Sequence, residues 1–147
     1  MADTELVRSS ARAFTDAPAL LGEPLAVRDN AGRLSSWFVP MVADDRLVGF
    51  VELLPDLTHR RTSWFRHHPD SSEGCPPAAW WLDAGTVLEH ARPEMRAGES
   101  AADPYLSFDG VPDRLAWAVP VGGPHGPRTV YVAGDTAWSG VATTGLG

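Results

Sequence analysis

Residues 24–53, PLAVRDNAGRLSSWFVPMVADDRLVGFVEL, decide how the rest of the chain is read. Leu25 to Asp29 has the make-up of a short strand. Asp29-Asn30-Ala31-Gly32 supplies turn residues that tolerate positive φ. Leu34 to Ala43 is a second strand, Asp44-Asp45 a second turn, and Arg46 to Leu54 a third strand. In the second strand Trp37, Val39 and Met41 share one face, with Phe38 and Val42 on the other. Apolar residues on both sides imply that each face is at least partly covered. Pro40 has no N–H for a ladder, which predicts an edge strand or a bulge there. Glu52 alternates with Val48 and Phe50. Turned inward it is a buried acid needing a partner such as Arg61, and turned outward it is an ordinary surface residue; the outward state is the expected one.

Upstream, Asp3 or Thr4 caps a helix running to about Ala17, where Pro18 stops it; Leu6, Val7, Ala11 and Phe14 form its apolar face. Downstream, Leu57 to Arg66 reads as a fourth strand, and His67 to Pro77 has loop composition. Pro76-Pro77 is placed to open a second helix over Ala78 to Ala91. A second, weaker meander follows at 104–135, PYLSFDGVPDRLAWAVPVGGPHGPRTVYVAGD.

The two meanders align at an offset of 80. Pro24 matches Pro104, Trp37 matches Trp117, and Val39-Pro40 matches Val119-Pro120; the helices align as Ala11-Arg12 and Ala91-Arg92. The expectation is an α+β chain of two pseudo-repeated helix-plus-antiparallel-meander halves. The first spans 1–66, a connector 67–77, the second 78–140, with a frayed tail at 141–147. Each half alone is too small to bury a good core, so a groove at the joint between them is the expected recognition site.

The order helix, P-L-x-V-x-D-x-x-G-R-L-x-x-x-F-V-P-M, then R-L-V-G-F-V-E resembles PepSY and streptopain-propeptide-like domains, which are cystatin-like. The residues carrying the resemblance are Asp29, Gly32, Pro40 and Gly49-Phe50. The second half keeps Asp109, Gly110 and Pro120 and has Tyr131 instead of the glycine. The resemblance covers residues 22–54 best and 104–133 less well. It implies a cystatin-like fold and a role attached to, or inhibiting, peptidases, and it carries no catalytic residue.

Composition limits the partners. The 147 residues carry a net charge of −7, which argues against nucleic acid or an anionic membrane. All 12 basic residues are arginine, and lysine, isoleucine and glutamine are absent, a bias that makes arginine background and not a sign of bidentate recognition. One cysteine, Cys75, leaves no internal disulfide. The first twenty residues lack an apolar signal-peptide core, no window reads as a membrane span, and a cytoplasmic protein is expected.

Chemistry is sparse. His67-His68 with Asp70 and Cys75 offers ligand atoms, but adjacent histidines in a loop do not converge, and no metal or other cofactor is assigned. Cys75 before a helix start reads better as a small cap than as a nucleophile. Gly122 to Gly126 reads as a hairpin loop with His125 at its tip. The unusual region is HRRTSWFRHHPD, 59–70, followed by tandem tryptophans. Its binding candidates are Arg61, Trp64, Arg66, His67, His68, Trp80 and Trp81, able to grip an acidic peptide or a planar anion. Together these point to a non-catalytic binding module for a protein, peptide or small molecule, with a homodimer compatible with an unpaired sheet face. Edge strands bearing Pro40 and Pro120 are expected to resist strand addition. The alternative is a small enzyme or ligand-sequestering protein of secondary metabolism, with a cavity lined by Trp37, Trp64, Trp81 and Trp117 and Glu52 or a histidine as acid–base group.

Overall fold

Alternating apolar residues and turn signals dominate the chain, and strands dominate its structure. The computed structural model describes residues 3–140. It is a mixed α+β architecture of two antiparallel sheets and a few short helices. The chain divides into two compact units, Met1–Ala79 and Trp80–Gly147. The tail expected to fray, 141–147, lies outside the described residues.

In the first unit, helix α1 (Thr4–Ala11) precedes strands β1 (Leu25–Arg28), β2 (Leu34–Ala43), β3 (Arg46–Leu53) and β4 (His59–Trp64), which pair in that order. Asp3 caps α1, its carboxylate accepting the Glu5 N–H. Eight residues are too few for a stable isolated helix. Packing holds it: Val7 and Ala11, one turn apart, bury against Trp37, Val39, Met41, Val51 and Leu53. Full burial of a valine such as Val7 contributes roughly 1.5–3 kcal/mol, and the Ala11 methyl about 0.8 kcal/mol. α1 stops at Ala11, short of Ala17, because its buried face ends there. Two 3-10 turns, Arg12–Phe14 and Pro18–Leu20, carry the chain on.

Pro40 lies in β2, between β1 and β3, so it does not guard an edge. Its carbonyl accepts the Gly22 N–H at 2.7 Å, and its ring nitrogen faces the same side, upstream of where β1 begins. No ladder bond is lost. A register shift between Met41 and Val42 is the nearby irregularity. It places Val48 in the helix-side core and leaves Phe50 and Glu52 on the opposite face. The Asp44-Asp45 turn has φ of 54° and 61° at its two residues, the left-handed pair a tight hairpin needs.

Pro76-Pro77 does not open a helix. Leu47 N–H donates to the Pro76 carbonyl, Ala78 N–H donates to the Asp45 carbonyl, and Arg46 Nη1 donates to the Cys75 carbonyl at 2.6 Å. The segment is thus laid along the start of β3. Cys75 is buried in the first unit's core and caps no helix.

The second unit has α3 (Ala84–Ala91), β5 (Ser100–Ala101), β6 (Tyr105–Phe108), β7 (Leu115–Gly122), β8 (Arg128–Ala133) and β9 (Thr136–Ser139). A single turn, α2 (Ala79–Leu82), comes first and is separated from α3 by Asp83, whose carboxylate accepts from Thr86 N and Oγ1. One helix over 78–91 was expected; this side-chain cap divides it. The sheet runs β5-β7-β8-β9, with β6 also on β7. Val87 and Ala91 are the buried residues of α3, and Trp117, Val119, Val130 and Val132 are buried in the strands. The Pro120 carbonyl accepts the Ala102 N–H at 2.8 Å, so Pro120 too is interior and faces a short flanking segment. Among the described residues no helix is long and apolar enough to cross a membrane.

Candidate functional site

On the face of the first sheet away from α1, β3 presents Phe50 and Glu52, and β4 presents Arg61 and Ser63 opposite them. Glu52 is 1% exposed, so the expected outward state is replaced by the buried one. Its Oε1 accepts from Arg61 Nε at 2.8 Å and Arg60 Nη1 at 3.0 Å. Its Oε2 accepts from Ser36 Oγ at 2.5 Å. A buried carboxylate survives only with such partners, and two guanidiniums plus a hydroxyl provide them. Arg60 reaches Glu52 because the register shifts between Glu52 and Leu53, opening a bulge opposite. Both Glu52 oxygens are bonded, which makes the residue the hub of a buried ion-pair cluster.

Arg61 is therefore committed. Besides Glu52 it lies over the Phe50 ring at 5.3 Å. Phe50 continues an aromatic row, 4.7 Å from Phe38 and 6.1 Å from Phe65 between centroids.

At the end of β4 the surroundings change. Trp64 and Phe65 are each 37% exposed. Trp64 lies against Gly49, where an added Cβ would stand 2.8 Å from the indole Cε3, and the Arg66 guanidinium sits over its ring at 4.2 Å. Arg66 Nη1 also donates to the Pro69 carbonyl, which fixes the guanidinium. His67 and His68 are exposed and, with Ser71 and Glu73, line an open pocket of about 280 Å³. At the other end of β4, His59 stacks on Phe14 at 4.4 Å and bonds Thr62 Oγ1, which donates to the Phe14 carbonyl.

The sequence candidates thus fall into three groups. Trp64, Arg66, His67 and His68 come together at one corner of the first unit. Arg61 belongs to the Glu52 cluster. Trp80 and Trp81 belong to the second unit, where Trp80 meets His90 edge-on at 5.7 Å and the Trp81 carbonyl accepts from Trp117 Nε1 at 3.0 Å. Of the four tryptophans expected to line one cavity, Trp37 is buried in the α1-side core of the first unit. Ser36 and Arg60 were missed as Glu52 partners, and Phe65 as an exposed aromatic. Alternation from Phe38 could have placed Ser36 on the Glu52 face; nothing in the sequence marks the bulge that brings Arg60 in.

The second unit holds its own ion pair. Arg128 Nε and Nη2 grip both oxygens of Glu99 at 2.7 Å, and Nη2 also donates to the Glu94 carbonyl. The Arg128 guanidinium, helped by the Arg96 N–H, pulls the Glu99 carboxyl down to about 2. Tyr131, stacked on Trp138 at 6.1 Å, has its phenol pKa raised by burial, with the Asp109 charge adding to it. Asp109 itself accepts from Trp138 Nε1 at 2.7 Å. Among the described residues no group of three or more His, Cys, Asp or Glu side chains could hold a metal ion. No protein-family model matches the chain, and no curated protein or solved structure matches it significantly.

Proposed function

We propose that the chain carries two copies of one cystatin-like, PepSY-like unit. We further propose that it serves as a non-catalytic cytoplasmic binding module for a protein or peptide, engaged through the corner after β4. The duplication is supported by bonding that repeats at an offset of 80. Helix Thr4–Ala11 with cap Asp3 corresponds to Ala84–Ala91 with cap Asp83. The Leu21–Met41 bridge corresponds to Ala101–Val121, and Gly22 N–H to the Pro40 carbonyl corresponds to Ala102 N–H to the Pro120 carbonyl. Strand pairs correspond too, Ala26–Trp37 with Leu106–Trp117.

The binding role rests on one observation. Trp64 and Phe65, large and apolar, stay substantially exposed beside a fixed Arg66 and two exposed histidines. Half-exposed aromatics with a cation on a rigid element are the usual anchors of a recognition surface.

Panning a displayed random-peptide library on the wild-type protein, with the Trp64→Ala/Arg66→Glu variant as counter-target, tests this. Enriched peptides that bind wild type at least about tenfold more tightly than the variant, a difference of about 1.4 kcal/mol, are the expected result. Enriched peptides indifferent to the variant, or no enrichment, would remove the corner from consideration.

A further inference from the structure

The backbone of β4 adds a second element to that corner. β4 is the last strand of its sheet, so one of its edges meets no strand of that sheet. In an antiparallel ladder successive residues turn their N–H and C=O to opposite edges. Phe65 N–H donates to the Val48 carbonyl at 2.9 Å, so Phe65 faces β3, as do Ser63 and Arg61 by parity. Thr62 and Trp64 therefore aim their backbone donors and acceptors away from β3. Such an edge is a template for another strand unless it is blunted. No proline lies between His59 and Trp64, and the bulge at Arg60 leaves 61–64 regular. The prolines expected to guard the sheet edges sit in β2 and β7 instead.

Charge selects the occupant. Residues 57–69, LTHRRTSWFRHHP, contain three arginines and no acid in a chain of net charge −7. Arg60 and Arg61 share the single carboxylate of Glu52, which leaves the segment a net positive charge that Arg66 carries at its end. A second copy docking β4 against β4 would bring the same cations face to face, which destabilises a cross-strand pair. An acidic segment gains from them. We infer that β4 accepts an extended acidic peptide as an added strand, exchanging backbone hydrogen bonds with Thr62 and Trp64. Its carboxylates lie toward Arg66, His67 and His68, and one apolar side chain rests on the exposed edge of Trp64. This inference rests on the corner being a binding surface and specifies its ligand and mode.

The probe is a fluorescein-labelled Glu-Val-Glu-Val-Glu-Val peptide followed by anisotropy on the full chain. A Lys-Val counterpart and an acidic peptide N-methylated at alternate residues serve as comparisons. The acidic peptide should bind at least about tenfold more tightly than either. Thr62→Pro removes the outer-edge backbone donor together with the hydroxyl that bonds the Phe14 carbonyl and His59, so Thr62→Val, which loses only the hydroxyl, is its control. The proline variant should cost a similar factor relative to Thr62→Val with the circular dichroism unchanged. Arg66→Glu should weaken binding by about fivefold at low salt and by less at high salt. Equal binding of the acidic and basic peptides, or self-association through β4 in place of peptide binding, would overturn the inference. So would affinity that survives both N-methylation and Thr62→Pro. That last result, if Arg66→Glu still weakened binding, would leave the broader surface reading standing; the panning experiment judges that reading separately. The N-methylated peptide keeps the test decisive even if Thr62→Pro fails to fold.

Discussion

In the first sheet Phe38 sits opposite Glu52, and Glu52 opposite Arg61. In the second, Ala118 sits opposite Tyr131, and Tyr131 opposite Trp138. The pairing schemes correspond, yet one row carries a buried charge network and the other an aromatic stack. The backbone ladder does not choose between them. What it fixes is which side chains share a face, and any chemistry is then decided residue by residue. A neighbouring position makes the same point. Gly49 pairs with Met41 while Arg128 pairs with Val121, so a glycine that admits Trp64 corresponds to an arginine that grips Glu99.

The sharpest way to break the comparison is to remove the carboxylate buried in the Phe38–Glu52–Arg61 row. Glu52→Ala leaves Arg60 and Arg61 partly buried without their carboxylate, and should cost about 3–5 kcal/mol in urea unfolding. The double change Glu52→Leu/Arg61→Leu should recover part of that loss, because it replaces one ion pair by apolar side chains while Arg60, whose side chain is 22% exposed, turns toward solvent. A double variant no better than Glu52→Ala would show the network to be more than an ion pair. A smaller effect is expected at the glycine. Gly49→Ala puts a methyl 2.6 Å from the Ser63 carbonyl oxygen and 2.8 Å from Trp64, and should cost about 2 kcal/mol with a change in tryptophan emission. No change in emission would mean that Trp64 does not depend on this close approach.

The smallest effect belongs to the second unit and depends on acidity. The Glu99 carboxyl is held near 2 against an ordinary 4.5. A lowered carboxyl pKa stabilises the fold fully above 4.5, and that contribution fades as pH falls from 4.5 toward 2. Arg128→Ala should therefore separate from wild type in urea midpoint at pH 7 and converge with it near pH 2. A gap that stays constant with pH would assign Arg128's contribution to packing and not to the pair.

Much of this architecture was legible in the sequence. β2 was placed at Leu34 to Ala43, and the Asp-Gly and Asp-Asp turns fell between alternating runs, because turn chemistry and period-two patterning are local signals. What escaped was non-local. β5 is only two residues in a polar stretch and exists because β7 is long enough to receive it. Pro40 and Pro120 signalled an edge, but their missing donors face flanking segments that never ask for them. Glu52 looked like a surface acid since alternation names its face and not what covers that face. Its burial becomes readable only once Arg61 is known to lie opposite. At the candidate corner, residue types were visible and sorting was not: Arg61 reads like Arg66 in sequence, yet one is spent on Glu52 and the other sits over Trp64.

The guanidinium over Trp64 also gives the molecule a built-in optical gauge. An indole that shares its surface with a cation emits differently from one that does not, so displacement of Arg66 by an arriving carboxylate would register in the protein's own light without a label. Trp37, sealed in the core, would provide the steady background against which that signal is read.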